Sequence, residues 1–310
     1  MMGIVAQHVV GQSAYVRHGV DFLTNWCVCG FVFVSGYFGI KFKPSKVISL
    51  VALGMFCAVV SNMAYGSSFL AALNAVRWYW YLWAYLFLML LAPAVNAAFE
   101  KANKRTIIVF VLPIAILCWG WSFFSCLPYF RNISPVCKYI GSLNGPSLVC
   151  IYVFTLAYRK LELSRYCSRK WAVVLLPACV VLMLLGFWSY AWIPAFVVTC
   201  FAFEFFKGLS LPDWLARACV FAAPSMFSVY LLHICNCRHL MWGFEVYCVQ
   251  VLDFRIWMMF VITGIVTFVT CLAVDLLRRG LLYALKPTIR RAYDRIDGAY
   301  EQMIGLLERI

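Results

Sequence analysis

The chain has 310 residues, of which 65% are apolar and only 12% charged, and its mean hydropathy is +0.87. This composition excludes an ordinary soluble domain and predicts an integral membrane protein, because water-soluble folds of this length expose far more polar surface. The net charge of +14 would indicate nucleic-acid binding in a soluble protein. In a membrane protein it reflects Lys and Arg residues concentrated in the cytoplasmic loops, so no nucleic-acid partner is expected.

Apolar runs follow one another from the first residue to residue 280, each near the length of about 20 residues that crosses a bilayer. We predict an all-α fold, a polytopic transmembrane helix bundle of about ten spans with a short first span, which occupies residues 1–280. The predicted spans are 1–16, 20–40, 46–65, 78–98, 106–124, 145–158, 171–187, 189–206, 218–236 and 256–277.

The distribution of positive charge predicts the orientation of these spans. Loops that alternate along the chain carry 20 Lys and Arg residues on one side and 6 on the other. Lys and Arg are retained in the cytoplasm during insertion, so the first set of loops is predicted to be cytoplasmic. We therefore expect a multi-pass protein of the plasma or inner membrane, with its C-terminus in the cytoplasm.

Residues 281–310 have a different pattern, in which apolar residues recur at intervals of three and four between arginines. The apolar positions are Leu285, Ile289, Tyr293, Ile296, Tyr300, Met303 and Leu307. This spacing predicts a cytoplasmic amphipathic helix on the inner membrane surface, bound by apolar burial and by anionic headgroups. Membrane lipids are therefore an expected partner, and a solvated helix is the alternative.

The 15 cysteines show no paired metal-ligand spacing, and no metal or bound cofactor is predicted. Most of them fall in apolar runs and are interpreted as small buried hydrophobic residues. A few lie in predicted outer loops, where a disulfide stays an open alternative. Those residues are Cys126, Cys137, Cys235, Cys237 and Cys248.

His8 lies in the middle of the first predicted helix, where an imidazole needs a partner or a cavity. Histidine changes protonation near neutral pH, which suits a general base or acid, but a structural histidine bonded to a neighbouring helix fits the pattern equally well. Residues 1–16 reach only about 24 Å, less than the hydrocarbon thickness, so this helix is expected to lack its cytoplasmic end.

Other polar or aromatic residues near the ends of spans are further candidates. Ser35 and Tyr37 lie late in the second span, where a small residue between them permits close helix packing. His233 and Arg238, at the outer end of the ninth span, can line one pocket, although Arg238 with a nearby tryptophan also fits an interfacial anchor. Arg77 and Trp80 belong to an outer aromatic cluster that fits either sugar stacking or an ordinary interfacial belt.

Four segments, taken in order, resemble the acyltransferase-3 family of polytopic membrane enzymes. They are residues 2–10, which end near His8; residues 31–38, with Ser35-Gly36-Tyr37; residues 80–96, from Trp80 through Tyr85 to Asn96; and residues 225–233, which end in Tyr230-Leu231-Leu232-His233. The resemblance lies in order as well as content and covers essentially the whole chain.

The resemblance implies an O-acyltransferase that moves an acyl group, with acetyl as first choice, from acyl-CoA to a hydroxyl of a cell-surface polysaccharide or lipid-linked sugar. It implies acyl-CoA (acetyl-CoA) as co-substrate, no bound cofactor, a sugar or polysaccharide acceptor and His8 as the catalytic base. The residues expected to bind substrate are Ser35, Tyr37, Arg77, Trp80, Tyr85, Asn96, Tyr230, His233 and Arg238.

The chain departs from the family pattern at its beginning. The family has an important arginine ahead of its histidine, and counting back from His8 places that position before Met1. A truncated, inactive family member is therefore one alternative. A transporter or flippase of lipid-linked sugars is another, although we find no convincing internal repeat between residues 1–150 and 151–310 of the kind common in transporters.

Overall fold

The structure, a computed structural model, describes residues 17–64, 66–126, 145–167, 170–171, 173, 192–233 and 254–307. Every regular element within these residues is a helix, so the all-α prediction is confirmed for the part of the chain described. The first predicted span and most of the seventh lie outside the described residues.

The helices are numbered here in chain order, and each is given with its bounds. They are α1 (Arg17–Phe38), α2 (Pro44–Met63), α3 (Phe69–Asn74), α4 (Trp80–Lys101), α5 (Lys104–Cys126), α6 (Gly145–Lys160), α7 (Trp192–Lys207), α8 (Asp213–His233), α9 (Phe254–Ala284) and α10 (Lys286–Leu307). Single 3₁₀ turns lie at Ala75–Trp78, at Leu163–Arg165 and, within α8, at Ala223–Ser225.

Local sequence explains several of these boundaries. Gly39 adopts a φ of 81° directly after α1, the left-handed conformation in which helices commonly end. Pro44 occupies the first turn of α2, where its missing N–H is not needed. The side chain of Asn103 precedes α5, and its Oδ1 accepts a hydrogen bond from the Thr106 N–H at 2.8 Å, which is an N-cap.

Three of the described helices, α2, α4 and α8, are long and apolar enough to cross a membrane by length and composition. Cys27–Phe38, within α1, is a shorter apolar helix. These helices support the membrane class predicted from composition, while the total of about ten spans stays a prediction.

Large apolar side chains cover the outside of the described bundle. Phe87 is 56% exposed and Leu90 57% on α4, and Leu117 on α5 is 71% exposed. An apolar exterior of this extent is unusual for a monomer in water and suits hydrocarbon, in which helices satisfy their own backbone hydrogen bonds.

Contacts between the helices fix their relative directions. Four helices, α1, α4, α6 and α7, run in the same direction, and α8 runs against α4. In each parallel pair, two contacts advance along both helices together. They are Ser35–Tyr85 and Ile40–Asn96 for α1, with the residue just past it, and α4; Asn96–Tyr152 and Glu100–Lys160 for α4 and α6; and Phe154–Phe196 and Tyr158–Glu204 for α6 and α7. In the antiparallel pair, α8 and α4, the contacts Phe227–Tyr85 and Tyr230–Tyr81 advance in opposite directions.

The four parallel helices therefore end together, and positive side chains gather where they end. We call this region the basic end of the bundle. It is defined by Lys41, Lys43, Lys46, Lys101, Lys104, Arg105, Arg159, Lys160, Arg165 and Lys207. All ten belong to loops that the charge distribution predicts to be cytoplasmic.

The predicted boundaries differ from the observed ones mainly at α8 and α9. Helix α8 begins at Asp213, five residues before the predicted span at residue 218. Helix α9 continues to Ala284, beyond the predicted end of its span at residue 277, because the strong helix breaker in this region is Pro287 and an isolated Gly280 is tolerated. Helix α3 was not predicted at all; its signal is Ser68, whose Oγ accepts from the Ala71 N–H at 3.4 Å.

Candidate functional site

A pocket of about 390 Å³ opens toward the basic end of the bundle, between the end of α1, the start of α2 and the first half of α4. Its lining residues are Val34, Ser35, Phe38, Gly39, Ile40, Lys41, Lys46, Leu50, Tyr85 and Met89. Most of these side chains are apolar, and their polar groups are two hydroxyls and two ammonium groups. A mainly apolar pocket with a few convergent polar groups is the usual form of a small-molecule site.

Ser35 and Tyr85, both predicted site residues, meet in this pocket. The Ser35 Oγ donates to the carbonyl oxygen of Phe31 at 2.9 Å and lies 3.1 Å from the Tyr85 hydroxyl oxygen. A serine hydroxyl has one hydrogen, and the bond to Phe31 uses it, so Tyr85 is the donor to Ser35. The Tyr85 oxygen then keeps its lone pairs as hydrogen-bond acceptors.

Asn96, also predicted, lies behind the pocket wall and holds it in place together with Tyr152. The Tyr152 hydroxyl donates to the Asn96 Oδ1 at 2.8 Å and accepts from the Ile40 N–H at 3.2 Å. The Asn96 Nδ2 donates to the Ile40 carbonyl oxygen at 3.1 Å. Both backbone groups of Ile40 are therefore bonded just past α1, where the helix no longer supplies partners.

Sequence analysis did not identify Tyr152. A tyrosine in an apolar helix usually has a bonded hydroxyl, and that rule was the only available signal. The partner, an asparagine on another helix, is not visible in the sequence of α6.

Replacing Tyr152 with phenylalanine is expected to destabilise the protein by about 1–3 kcal/mol, because the Ile40 N–H and the Asn96 oxygen lose a buried partner. The matched control is Tyr81→Phe: Tyr81 is also buried, but its hydroxyl has no hydrogen-bond partner among the described residues, so its removal is expected to be neutral or stabilising. Melting temperatures of the two variants in the same detergent test this difference. Equal shifts would contradict the network described here.

Tyr37 does not line the pocket, although it lies only two residues from Ser35. Its carbonyl oxygen accepts from the Arg159 Nη1 at 2.8 Å, and its hydroxyl accepts from the Lys207 Nζ at 3.4 Å. Lys207 also pairs with Glu204 at 3.5 Å, and Glu204 accepts from the Tyr158 hydroxyl at 2.9 Å. Tyr37 therefore belongs to a second polar cluster, which joins α1, α6 and α7 at the basic end.

Tyr230 and His233 are buried in the bundle beyond the pocket. The Tyr230 ring lies 4.9 Å from the Tyr81 ring and 5.5 Å from the His233 ring, and the His233 Nδ1 is hydrogen-bonded to the Tyr230 carbonyl oxygen. Tyr81 in turn stacks on Tyr85 at 6.1 Å. A continuous row of rings therefore leads from the pocket toward the opposite end of the bundle.

Arg77 and Trp80 lie at that opposite end, on the surface. The Arg77 guanidinium carbon is 5.0 Å from the centre of the Trp78 ring, a cation–π contact, and Trp80 is 42% exposed and edge-on to Tyr81 at 5.7 Å. The structure thus brings Ser35, Tyr85 and Asn96 together and leaves Arg77 and Trp80 apart from them. His8 and Arg238 lie outside the described residues.

No cluster of three or more His, Cys, Asp or Glu side chains suited to a metal ion occurs among the described residues. Cys27 and Cys29 on α1 and Cys57 on α2 are free thiols, and none of them lines the pocket. The pocket therefore offers hydroxyl and ammonium groups as its chemistry.

Within the described residues the protein is an all-helical bundle, with three helices long and apolar enough to cross a membrane and a mainly apolar pocket at its basic end. Comparison of the chain with models of protein families, with curated proteins and with solved structures finds no match.

Proposed function

We propose that this protein is a membrane O-acyltransferase that moves an acyl group, with acetyl as first choice, from acyl-CoA to a hydroxyl of a cell-surface polysaccharide or lipid-linked sugar. The observation that carries the proposal is the pocket at the basic end, which is lined by Lys41 and Lys46 and by Ser35 and Tyr85, whose hydroxyls are hydrogen-bonded to each other. The resemblance to the acyltransferase-3 family includes Ser35 and Tyr85, which line this pocket, and Asn96, which bonds to Ile40 behind its wall.

The donor end of the reaction suits this pocket. Acyl-CoA carries phosphates and a thioester on a narrow arm, and Lys41 and Lys46 supply positive charge at the mouth of the pocket. Positive charge would gather on a cytoplasmic surface for topological reasons alone, so the charge by itself is weak support. The more specific support is that Lys41 and Lys46 line the same pocket as the hydrogen-bonded hydroxyls of Ser35 and Tyr85.

The reaction needs a base and a stabiliser of negative charge. In the proposed step His8 takes the proton of the acceptor hydroxyl as its oxygen attacks the thioester carbonyl carbon. The carbon–sulfur bond then breaks, and the thiolate of CoA leaves and takes from His8 the proton that His8 removed from the acceptor hydroxyl, which restores the neutral imidazole. The developing oxyanion requires a hydrogen-bond donor, and an ammonium or hydroxyl group of the pocket supplies one.

The acceptor sugar is proposed to bind at the outer, exposed end of the row of aromatic and polar residues beyond the pocket, because the row itself is buried. Tyr230 and His233 lie along that row, Arg77 and Trp80 at its outer end, and aromatic faces bind sugar rings by stacking. In this proposal the basic end is cytoplasmic, the protein is multi-pass in the plasma or inner membrane, and the C-terminus is cytoplasmic.

The test uses the full chain reconstituted in vesicles with radiolabelled acetyl-CoA and extracted lipid-linked sugars. We expect Lys41→Ala with Lys46→Ala to raise the KM for acetyl-CoA about tenfold, the loss of about one charge-assisted contact, with little change in kcat. Lys101→Ala, which removes a charge at the same end but outside the pocket, is the control. If the two variants have equal effects, Lys41 and Lys46 serve only to orient the chain in the membrane and do not bind acetyl-CoA. Sugar translocation without label transfer would identify a transporter instead.

A further inference from the structure

The C-terminal helix α10 is attached to the start of α2 by a carboxylate. Lys43, the residue that precedes α2, makes no side-chain cap. Instead the Asp297 Oδ1 accepts from the Ser45 N–H at 3.0 Å, and the Asp297 Oδ2 accepts from the Ser45 Oγ at 2.7 Å. A residue 252 positions away thus caps this helix N-terminus, where a negative charge also opposes the positive end of the helix dipole.

A second contact joins the same two regions. The ring of Tyr300, one turn after Asp297, lies edge-on to the Phe42 ring at 5.4 Å. Phe42 lies between Lys41 and Lys46, the two lysines of the pocket wall. Helix α10 therefore holds, from outside, the segment that forms the mouth of the pocket.

These contacts fix the rotation of α10 about its own axis. The partly buried positions Ile289, Tyr293, Asp297, Tyr300 and Ile304 form the face toward the protein. The neighbouring stripe stays uncovered and apolar, with Ile296 36% exposed, Met303 50% and Leu307 59%. Beyond that stripe, going round the helix, come exposed Arg295 and then exposed Arg291, and Asp294 and Glu301 lie after them.

The surface that leads into α10 is also apolar. Leu277, Leu281, Tyr283 and Leu285 are all more than half exposed at the end of α9 and the start of α10. An exposed apolar surface that runs along one helix and continues as a stripe bordered by arginines fits a bilayer with anionic headgroups, because the arginines reach phosphates while the stripe enters the acyl boundary.

We propose that α10 couples an anionic bilayer surface to the pocket: Arg291 and Arg295 bind headgroup phosphates, while Asp297 and Tyr300 hold residues 39–46 in the position that shapes the pocket mouth. A bilayer that seats α10 thereby stabilises the pocket. The proposal concerns the position of a segment, so it stands or falls separately from acyl transfer.

The clamp stays intact at neutral pH. Its hydrogen bonds from the Ser45 side chain and backbone, with Lys43 and Lys46 nearby, hold the pKa of Asp297 below its usual range. A carboxylate with a lowered pKa contributes its stabilising effect above the ordinary carboxyl pKa and loses it as the pH falls through the lowered value. Lipid composition, rather than pH, is therefore the variable to test.

The experiment measures hydrogen–deuterium exchange of the full chain in nanodiscs of phosphatidylcholine alone and of phosphatidylcholine with phosphatidylglycerol. We expect the anionic lipid to slow exchange about tenfold in residues 286–307 and in residues 43–48. Arg291→Gln with Arg295→Gln is expected to remove this lipid dependence. Asp297→Asn is expected to speed exchange in residues 43–48 in both discs.

Asp294→Asn is the matched control, since Asp294 lies on the same helix and is exposed, and it pairs with exposed Arg290 at 3.8 Å. It should leave residues 43–48 unchanged. Identical exchange in the two lipids would overturn the bilayer contact, and an Asp297→Asn protein with unchanged protection at residues 43–48 would overturn the clamp. Neither readout requires acyl transfer, so failure of the proposed enzymatic function is observed independently.

Discussion

Replacing Gly36 with alanine is expected to destabilise the bundle by about 1–3 kcal/mol, the usual cost of overpacking a tight interface. A Cβ at this position would lie 2.9 Å from the Thr155 Cβ and 3.3 Å from the Tyr152 Cδ2. Thr155 is fully buried and β-branched, and its hydroxyl bonds to the Ile151 carbonyl oxygen at 2.7 Å, so its side chain cannot move aside. Helices α1 and α6 must separate instead.

Gly30→Ala on the same helix is the matched control. The nearest atom to a Cβ at residue 30 is the Thr199 Cγ2 at 4.0 Å, which is ordinary contact. This substitution is expected to be neutral or to stabilise by up to about 1 kcal/mol, because alanine favours a helix more than glycine does. In detergent, the Gly36→Ala protein should therefore have a lower melting temperature than the wild type and the Gly30→Ala protein an equal or higher one, and a Gly36→Ala protein as stable as the wild type would disprove the close approach.

Helix class and approximate limits could be predicted from the sequence because lipid imposes one rule on every apolar run. A run such as residues 80–101 has to be a helix, since the bilayer leaves the backbone no other hydrogen-bond partners. The ends of helices were less predictable. Helix α9 continues to Ala284 because the breaker that stops it, Pro287, lies past the last apolar residue of the span rather than at it.

Part of the candidate site was also predictable, since a polar group inside an apolar run is costly to bury and is therefore a candidate for function. Ser35 was chosen on that basis, whereas Tyr85 and Asn96 were chosen from the resemblance alone; Ser35 and Tyr85 line one pocket, and Asn96 bonds to Ile40 behind its wall. Tyr37 was chosen in the same way and faces a different helix, because neighbouring positions on a helix point about 100° apart and the sequence does not say which side faces the pocket.

Long-range partners could not be predicted. The contact between Asp297 and Ser45 joins the two ends of the chain, and nothing in the local pattern around either residue specifies the other. The amphipathic spacing of α10 predicted an interfacial helix, whereas its rotation and its attachment to α2 follow only from packing. Tyr152 shows the same limit, because its role depends on Asn96 and Ile40.

Replacing His8 with alanine is expected to lower the rate of acyl transfer by about 10²- to 10⁴-fold, the range that a general base contributes. The reason is that a sugar hydroxyl is a poor nucleophile near neutral pH until a base takes its proton. Single-turnover transfer from radiolabelled acetyl-CoA measures the chemical step directly. The loss should fall on kcat, while the KM for acetyl-CoA stays near the wild-type value, because the lysines of the pocket are untouched.

That signature separates His8 from a merely structural histidine. A structural role predicts a lower melting temperature and a partial loss of activity in proportion, whereas a base predicts a wild-type melting temperature and loss of the acidic limb of the pH–rate profile, where protonation of the imidazole removes its function. His18→Ala, in the first turn of α1, controls for the loss of an imidazole. Transfer retained in His8→Ala at a wild-type rate would assign the proton to another group, and the row of rings that ends at His233 would then hold the next candidate base.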